Sequence, residues 1–82
     1  MIPVRLVEKP RILSVFVGEL KVGRLKAWSE RAVEAWVDDK SMPAGERYLW
    51  TEPTARRAMQ AVLQAAGYGK AKGFKVTRRE FR

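Results

Sequence analysis

Residues 51–67, TEPTARRAMQAVLQAAG, contain the one clear helical pattern in this chain. Small and apolar side chains recur there at the i, i+3, i+4, i+7 spacing, which places them on one face of a helix. Arginine and glutamine residues occupy the remaining circumference. The apolar stripe consists of Ala55, Ala58, Met59, Val62, Leu63 and Ala66.

Both ends of this helix carry recognisable boundary residues. Thr51 is a good N-cap, and Glu52 and Pro53 suit a first turn, where negative charge is favoured and a missing N–H costs nothing. Gly67 provides the left-handed residue that often ends a helix. The pattern therefore predicts a helix over residues 52–66.

The first fifty residues alternate apolar and polar side chains, which is the pattern of β-strands. Gly18 and Glu19 favour a tight hairpin turn. Gly23 interrupts the following strand and predicts a bulge or a close backbone approach, beyond which the inward side chains change parity. The predicted strands cover residues 2–6, 11–17, 20–28, 33–37 and 47–50, with a loop over residues 38–46.

A stripe made mostly of alanine allows a helix to lie close on a sheet, and neither element is stable alone. The sequence therefore predicts an α+β fold: an antiparallel sheet of three to five strands with one amphipathic helix packed on one face, in a two-layer single domain. Residues 1–67 are predicted to form this sheet-plus-helix domain. Residues 68–82 form a basic C-terminal segment, for which both a last strand at residues 74–78 and a tail remain open.

The chain has 82 residues, with 17 Lys and Arg against 9 Asp and Glu and a net charge of +8. It has no histidine and no cysteine, which excludes disulfides, zinc fingers, Fe–S ligation, thiol nucleophiles and histidine acid/base catalysis. The adjacent carboxylates Asp38 and Asp39 precede Ser, Pro and Gly, a pattern typical of a turn rather than a metal site. We therefore predict no catalytic residues, no metal and no cofactor, in a protein that is not an enzyme.

The sequence lacks the features of a membrane or secreted protein. No run approaches the roughly 18 apolar residues that a membrane span needs. The first residues also lack the continuous apolar stretch of a secretory signal peptide. These two observations predict a cytoplasmic protein without a membrane partner.

The C-terminal segment, residues 68–82, carries six basic residues and one acidic residue, so it supplies +5 of the net charge. Basic side chains along a glycine-bearing stretch can follow a phosphate backbone and release its counterions. The interleaved Tyr68, Phe74 and Phe81 could stack on exposed bases. The alternative is a solvated tail whose aromatic residues pack on the sheet. The candidate phosphate-binding residues are Lys70, Lys72, Lys75, Arg78 and Arg79.

A second candidate group lies on the predicted sheet. Lys21 should face away from the helix, and Arg24 joins it if the predicted bulge preserves its orientation. Glu34 is predicted on the same face, so that face is not uniformly positive. Trp36 is out of phase with its apolar neighbours and is therefore the tryptophan predicted to be exposed. An exposed indole indicates a contact surface, and burial under the N-terminal strand or the C-terminal segment is the alternative.

The middle of the chain has a recognisable order of elements. Residues 33–38, VEAWVD, are followed by a loop with Gly45 and then by RYLWT, residues 47–51, which leads into Ala55. This order resembles the strand–turn–strand–helix ending of the arm-type DNA-binding domain of phage tyrosine integrases, and the resemblance covers residues 11–66 with gaps. It implies that the open face of the sheet meets DNA. The residues carried over to that face are Lys21, Arg24 and Trp36.

Together these features predict a non-enzymatic nucleic-acid-binding protein of phage or bacterial type, with DNA favoured over RNA. The C-terminal basic residues would contact phosphates, and Lys21, Arg24 and Trp36 would approach the grooves. The alternative is a small phage-encoded inhibitor or adaptor that docks on an acidic host-protein surface, with Trp36 as its anchor. The sequence selects no oligomeric state.

Overall fold

A computed structural model describes residues 2–69 and 73–81, which contain six strands and one α-helix. The strands are β1 (Ile2–Lys9), β2 (Ile12–Val17), β3 (Leu20–Ser29), β4 (Ala32–Asp38), β5 (Glu46–Glu52) and β6 (Phe74–Phe81), and the helix is α1 (Ala55–Leu63). The helix continues into one π-helical turn, Gln64–Tyr68. Within the described ranges, neither helical element has the length and apolar character needed to cross a membrane.

All six strands belong to one sheet, in the order β5-β4-β3-β2-β1-β6. The first five strands pair antiparallel with their sequence neighbours, whereas β6 pairs parallel to β1. The α+β class with a helix on one face is confirmed, but the prediction of an antiparallel sheet of three to five strands is wrong. Alternating side chains indicated a strand at residues 74–78, but alternation carries no information about the partner strand or its direction.

The helix begins later than the sequence predicts. The Thr54 hydroxyl caps it by accepting a hydrogen bond from the backbone N–H of Arg57 at 3.2 Å. Thr51 and Glu52, predicted as the N-cap and first turn, instead extend β5 and pair with β4. Strand pairing keeps these residues extended, and the next threonine takes the capping role. Gly67 has a φ of 103°, which confirms the predicted left-handed residue.

The segment between β4 and β5 is the turn that the sequence predicts. The Asp39 carboxylate accepts hydrogen bonds from the hydroxyl and the backbone N–H of Ser41, at 2.6 and 2.9 Å. These two bonds lower the pKa of Asp39 below its ordinary value. Its second oxygen accepts a hydrogen bond from Arg47 at 3.3 Å. Asp39 therefore organises the turn.

Gly23 lets the helix lie unusually close to the sheet. A Cβ at this position would lie 2.6 Å from Cγ1 of Val62 and would also meet the backbone carbonyl oxygen of Trp36. Only glycine permits this approach without displacing its neighbours. The β2–β3 register also shifts between Val15 and Phe16, opposite Gly23. The bulge and the close approach predicted there are both present.

The sheet curls around the helix. At one edge α1 packs on β5, and at the other the Arg56 guanidinium lies 5.4 Å from the ring centre of Phe74 in β6. Six flat strands would place the two edge strands about 24 Å apart, whereas a helix with its side chains is only about 10–12 Å wide. Val33 of β4 and Arg79 of β6, four strands apart in the sheet, also line one cavity with Ala55 of α1, so the sheet bends toward the helix. The helix occupies the concave side, and no other described element covers the convex side.

We expect Gly23→Ala to lower the free energy of unfolding by about 3 kcal/mol, because the added Cβ forces α1 away from the sheet. Urea denaturation followed by tryptophan fluorescence measures this loss. Gly45→Ala is the control: Gly45 has a φ of 76° and open space around it, so its replacement tests backbone strain alone. That strain costs about 1 kcal/mol. Equal losses in the two variants would contradict the close contact at Gly23.

Candidate nucleic-acid interface

Alternate side chains of the sheet point away from α1 and form a surface that we call the open face. The strand registers place residues from all six strands on it. Its aromatic residues are Phe16, Trp28, Trp36 and Tyr48. Its charged residues are Arg5, Lys9, Lys21, Arg24, Lys26, Glu34, Asp38, Glu46, Lys75, Arg78 and Glu80.

Two of the aromatic residues pack against each other across neighbouring strands. Trp36 in β4 lies in register with Tyr48 in β5, and their ring centres are 5.2 Å apart with the planes tilted by 58°. Tilted packing of this kind stabilises aromatic pairs. The Tyr48 hydroxyl is hydrogen-bonded to the Thr51 hydroxyl at 2.7 Å, which fixes the ring from its far end. Both rings are therefore held in defined positions on the open face.

Glu34 joins two of the indoles. The N–H of Trp36 donates a hydrogen bond to one carboxylate oxygen at 2.9 Å, and the N–H of Trp28 donates to the other oxygen. The bond from Trp28 and then the bond from Trp36 lower the pKa of Glu34, so the group stays ionised at neutral pH. Glu34 lies on the open face as its strand position predicts, but its bonds to the two indoles are an additional finding. The spacing of Glu34 and Trp36 by two residues on one strand was the available signal.

Arg24 also forms contacts with other residues of the open face. Its guanidinium donates two hydrogen bonds to the Glu46 carboxylate, at 2.9 Å from Nε and 2.7 Å from Nη2. These bonds raise the pKa of Arg24 and lower the pKa of Glu46. The guanidinium also lies 4.6 Å from the ring centre of Trp36. Arg24 lies on the predicted face, but its Nε and Nη2 groups are bonded to Glu46 and one side of its guanidinium lies against Trp36.

Two further cations cover aromatic rings on the open face. The Arg5 guanidinium lies 4.2 Å from the ring centre of Phe16. The Lys26 ammonium lies 4.5 Å from the ring centre of Trp28. Contacts of this kind are favourable because the face of an aromatic ring carries partial negative charge. Cation–aromatic pairs thus recur across β1, β2, β3 and β4 rather than at one point.

The structure places several predicted phosphate-binding residues on the same face of the sheet, with two strands between β3 and β6. Lys21 in β3 and Lys75 and Arg78 in β6 lie on the open face, although they are far apart in sequence. Lys21 lies 3.9 Å from the Asp38 carboxylate, a loose ion pair, and Arg78 lies 3.0 Å from that of Glu80. Lys75 forms no ion pair with any described residue. Local carboxylates therefore offset part of the positive charge.

Other predicted residues are not part of this surface. Arg79 lies on the helix side of the sheet, where it pairs with Glu8 at 3.0 Å, because its strand position alternates with that of Arg78. Arg78 and Arg79, both predicted to contact phosphates, therefore lie on opposite sides of the sheet. Lys70 and Lys72 lie outside the described residues.

The aromatic residues of the C-terminal segment also lie away from the open face. Phe74 is buried in the core, and Tyr68 packs against the core from the π-helical turn. Phe81 is exposed but follows Arg79 on the helix side of β6. Phe74 and Tyr68 therefore follow the alternative in which aromatic residues of this segment pack on the sheet, whereas Phe81 stays exposed on the helix side.

Trp36 lies on the open face as predicted, but it is not the most exposed tryptophan. It is half-buried, because Arg24 covers its ring and Tyr48 packs beside it. Trp28 is 57% exposed and Trp50 is 45% exposed. Trp50 lies on the helix side of the sheet, where its N–H donates to a carboxylate of the same strand. The alternation of side chains along one strand shows which face a residue lies on. It does not show whether side chains of neighbouring strands cover that residue.

The open face carries seven cations and four carboxylates among the described residues. The excess of cations gives the surface a net positive charge. The exposed ring of Trp28 lies next to the Lys26 ammonium. The exposed ring of Tyr48 lies on β5, where the open-face charges of β5 and of the neighbouring β4 are Glu34, Asp38 and Glu46, so the positive charge is concentrated on β3, β1 and β6. The arrangement can therefore attract an anionic polymer and also contact flat apolar groups.

Comparisons with known proteins add no relative. A scan against protein-family models finds no match, and searches of curated proteins and of solved structures find none either. The resemblance of residues 11–66 to the arm-type domain of phage integrases therefore stays a prediction.

We expect the two indoles on Glu34 to respond to acid. Because the pKa of Glu34 is lowered in the folded protein, its contribution to stability is present at neutral pH and is lost as the pH falls through that lowered value. Tryptophan fluorescence should then show a step below the ordinary pKa of 4.5. The step should be missing in Glu34→Gln, which cannot ionise. A variant that keeps the same step would show that another group controls the indoles.

Proposed function

We propose that this chain is a non-enzymatic nucleic-acid-binding protein of phage or bacterial type, acting in the cytoplasm, whose open face binds DNA. The observation that carries the proposal is that cations from β1, β3 and β6 share one uncovered face with the exposed rings of Trp28 and Tyr48. A solvated sheet face would require neither the concentration of aromatic residues nor their ordered hydrogen bonds.

The ion pairs on the open face are compatible with phosphate binding. The Arg78 side chain is 70% exposed, whereas Glu80 is half-buried and also pairs with Arg5. An ion pair with one such exposed partner contributes only about 0–1 kcal/mol, so a phosphate can replace Glu80 as the partner of Arg78 at little cost. Binding to a phosphate chain also releases condensed counterions, a gain that an internal carboxylate does not provide. Partial neutralisation therefore lowers nonspecific attraction but leaves exposed cations available.

The cations on this face have different roles. Arg24, held by Glu46 and by Trp36, is a positioning residue for the aromatic rings. Lys75 and Arg78 are exposed and are the strongest candidates for phosphate contact. Lys26 joins them because its ammonium lies next to the most exposed indole.

DNA is proposed ahead of RNA because residues 11–66 resemble a DNA-binding domain. Fluorescence anisotropy with labelled DNA and RNA of the same sequence tests this order directly. RNA bound more tightly than DNA would reverse it. No binding to either polymer at low salt would contradict nucleic-acid binding, and the acidic protein partner would then be the hypothesis to test.

We expect DNA affinity to fall with salt. If Lys26, Lys75 and Arg78 each neutralise one phosphate, log affinity should fall with log salt concentration at a slope of about −2 to −3. Anisotropy titrations at several salt concentrations provide the slope. Affinity that does not change with salt would rule out phosphate contact by these residues.

A charge-matched pair of variants tests which face binds. Lys26→Ala, Lys75→Ala and Arg78→Ala combined should weaken DNA binding by about tenfold or more, because three phosphate contacts are removed. The control combines Arg56→Ala, Arg57→Ala and Arg79→Ala, which removes the same charge from the helix side of the protein. We expect this control to lose less than about threefold. Circular dichroism verifies that both variants fold, and equal losses would show that only net charge matters.

A further inference from the structure

The shape of the open face limits the nucleic acid that can lie on it. Since the sheet bends around α1, the open face is convex. A protein that wraps around a duplex needs a concave surface. In this chain the helix α1 occupies the concave side of the sheet. A convex surface can touch a duplex only along a narrow line.

The width of the open face excludes insertion into a groove. The major groove of B-DNA is about 12 Å wide and admits a helix or a two-stranded ribbon. The cations on this face extend from β3 to β6, which lie three strands apart in the sheet. That spacing alone is about 14 Å along the sheet. The whole cationic face therefore does not fit inside the major groove of a duplex.

The two most exposed rings on this face are suited to contact with bases. Trp28 and Tyr48 are 57% and 45% exposed. Each is fixed at its polar end, Trp28 by Glu34 and Tyr48 by Thr51. A fixed ring loses little conformational entropy when a base stacks on it. Bases inside a duplex have no free face to offer, whereas those of a single strand do.

We propose that the open face binds single-stranded DNA in preference to duplex DNA, an inference that rests on the proposed function. Bases stack on Trp28 and Tyr48, and the phosphate chain passes Lys26 and continues across the sheet toward Arg78. Glu34 positions the Trp28 indole for this contact. The phosphates follow the excess positive charge of the face, and the stacking is tolerant of base sequence.

The first test compares strand forms. A labelled oligothymidylate of about 12 nucleotides, within the range that single-strand-binding folds cover, is titrated alone and after annealing to its complement. We expect the single strand to bind at least about tenfold more tightly and to quench tryptophan fluorescence. Equal or tighter duplex binding that is still weakened by the open-face charge variant would overturn this inference and leave the proposed function standing.

The second test uses two aromatic residues of the same strand. Tyr48 and Trp50 are both 45% exposed but lie on opposite faces of β5. Tyr48→Ala should weaken single-strand binding about 5- to 100-fold through lost stacking, and Trp50→Ala should change it less than about twofold. Tyr48→Phe keeps the ring and should restore most of the affinity.

The aromatic variants also separate stacking from charge. Trp28→Ala should weaken the single strand as Tyr48→Ala does, without changing the slope of affinity against salt. Full affinity in both alanine variants would overturn the stacking role. Absence of binding to either strand form by the unaltered protein would overturn both the inference and the proposed function.

Discussion

The close contact between α1 and Gly23 determines the geometry of the rest of the molecule. A side chain at this position would collide with Val62 and with the β4 backbone. Because the helix lies so near the middle of the sheet, the strands on either side must bend to reach its flanks. That bend carries β5 and β6 onto opposite sides of the helix. The outer surface of this bent sheet is the open face, and the close approach at Gly23 holds the helix against its inner surface.

The carboxylates of the open face organise it as much as they neutralise it. Glu34 holds two indoles through their N–H groups, and Glu46 holds the guanidinium of Arg24 above Trp36. Each acid therefore does more than balance charge. Glu34 positions two indoles directly, and Glu46 acts on Trp36 through Arg24. A face built only of cations would attract polyanions more strongly, but the N–H groups of Trp28 and Trp36 would lose the acceptor that orients them.

The local parts of the fold could be predicted from the sequence, and the non-local parts could not. Hairpins, the bulge at Gly23 and the end of the helix at Gly67 follow from turn residues and short-range alternation. The parallel pairing of β1 with β6 joins residues that are more than seventy positions apart, and no local pattern encodes it. The N-cap fell on Thr54 rather than Thr51 for the same reason, since pairing with β4 decides where β5 ends.

Some features of the candidate site could likewise be predicted from the sequence, and others could not. The face on which a strand residue lies follows from the alternation of side chains along that strand alone. This alternation predicts Lys21, Arg24 and Trp36 on the open face. Exposure depends on neighbouring strands, so the covering of Trp36 by Arg24 and Tyr48 was not visible. Arg78 and Arg79 are adjacent in sequence but lie on opposite faces, a separation that becomes apparent only once they are known to form a strand.

The position of β1 between β2 and β6 has a consequence for biosynthesis. β1 and β2 leave the ribosome well before β6 is made, so the outer edge of β1 stays bare during that interval. Bare edges are templates for pairing with other chains, and charged side chains along them oppose such pairing. Arg5, Glu8 and Lys9 supply those charges on β1. These charges oppose pairing of the β1 edge with other chains until β6 has been made.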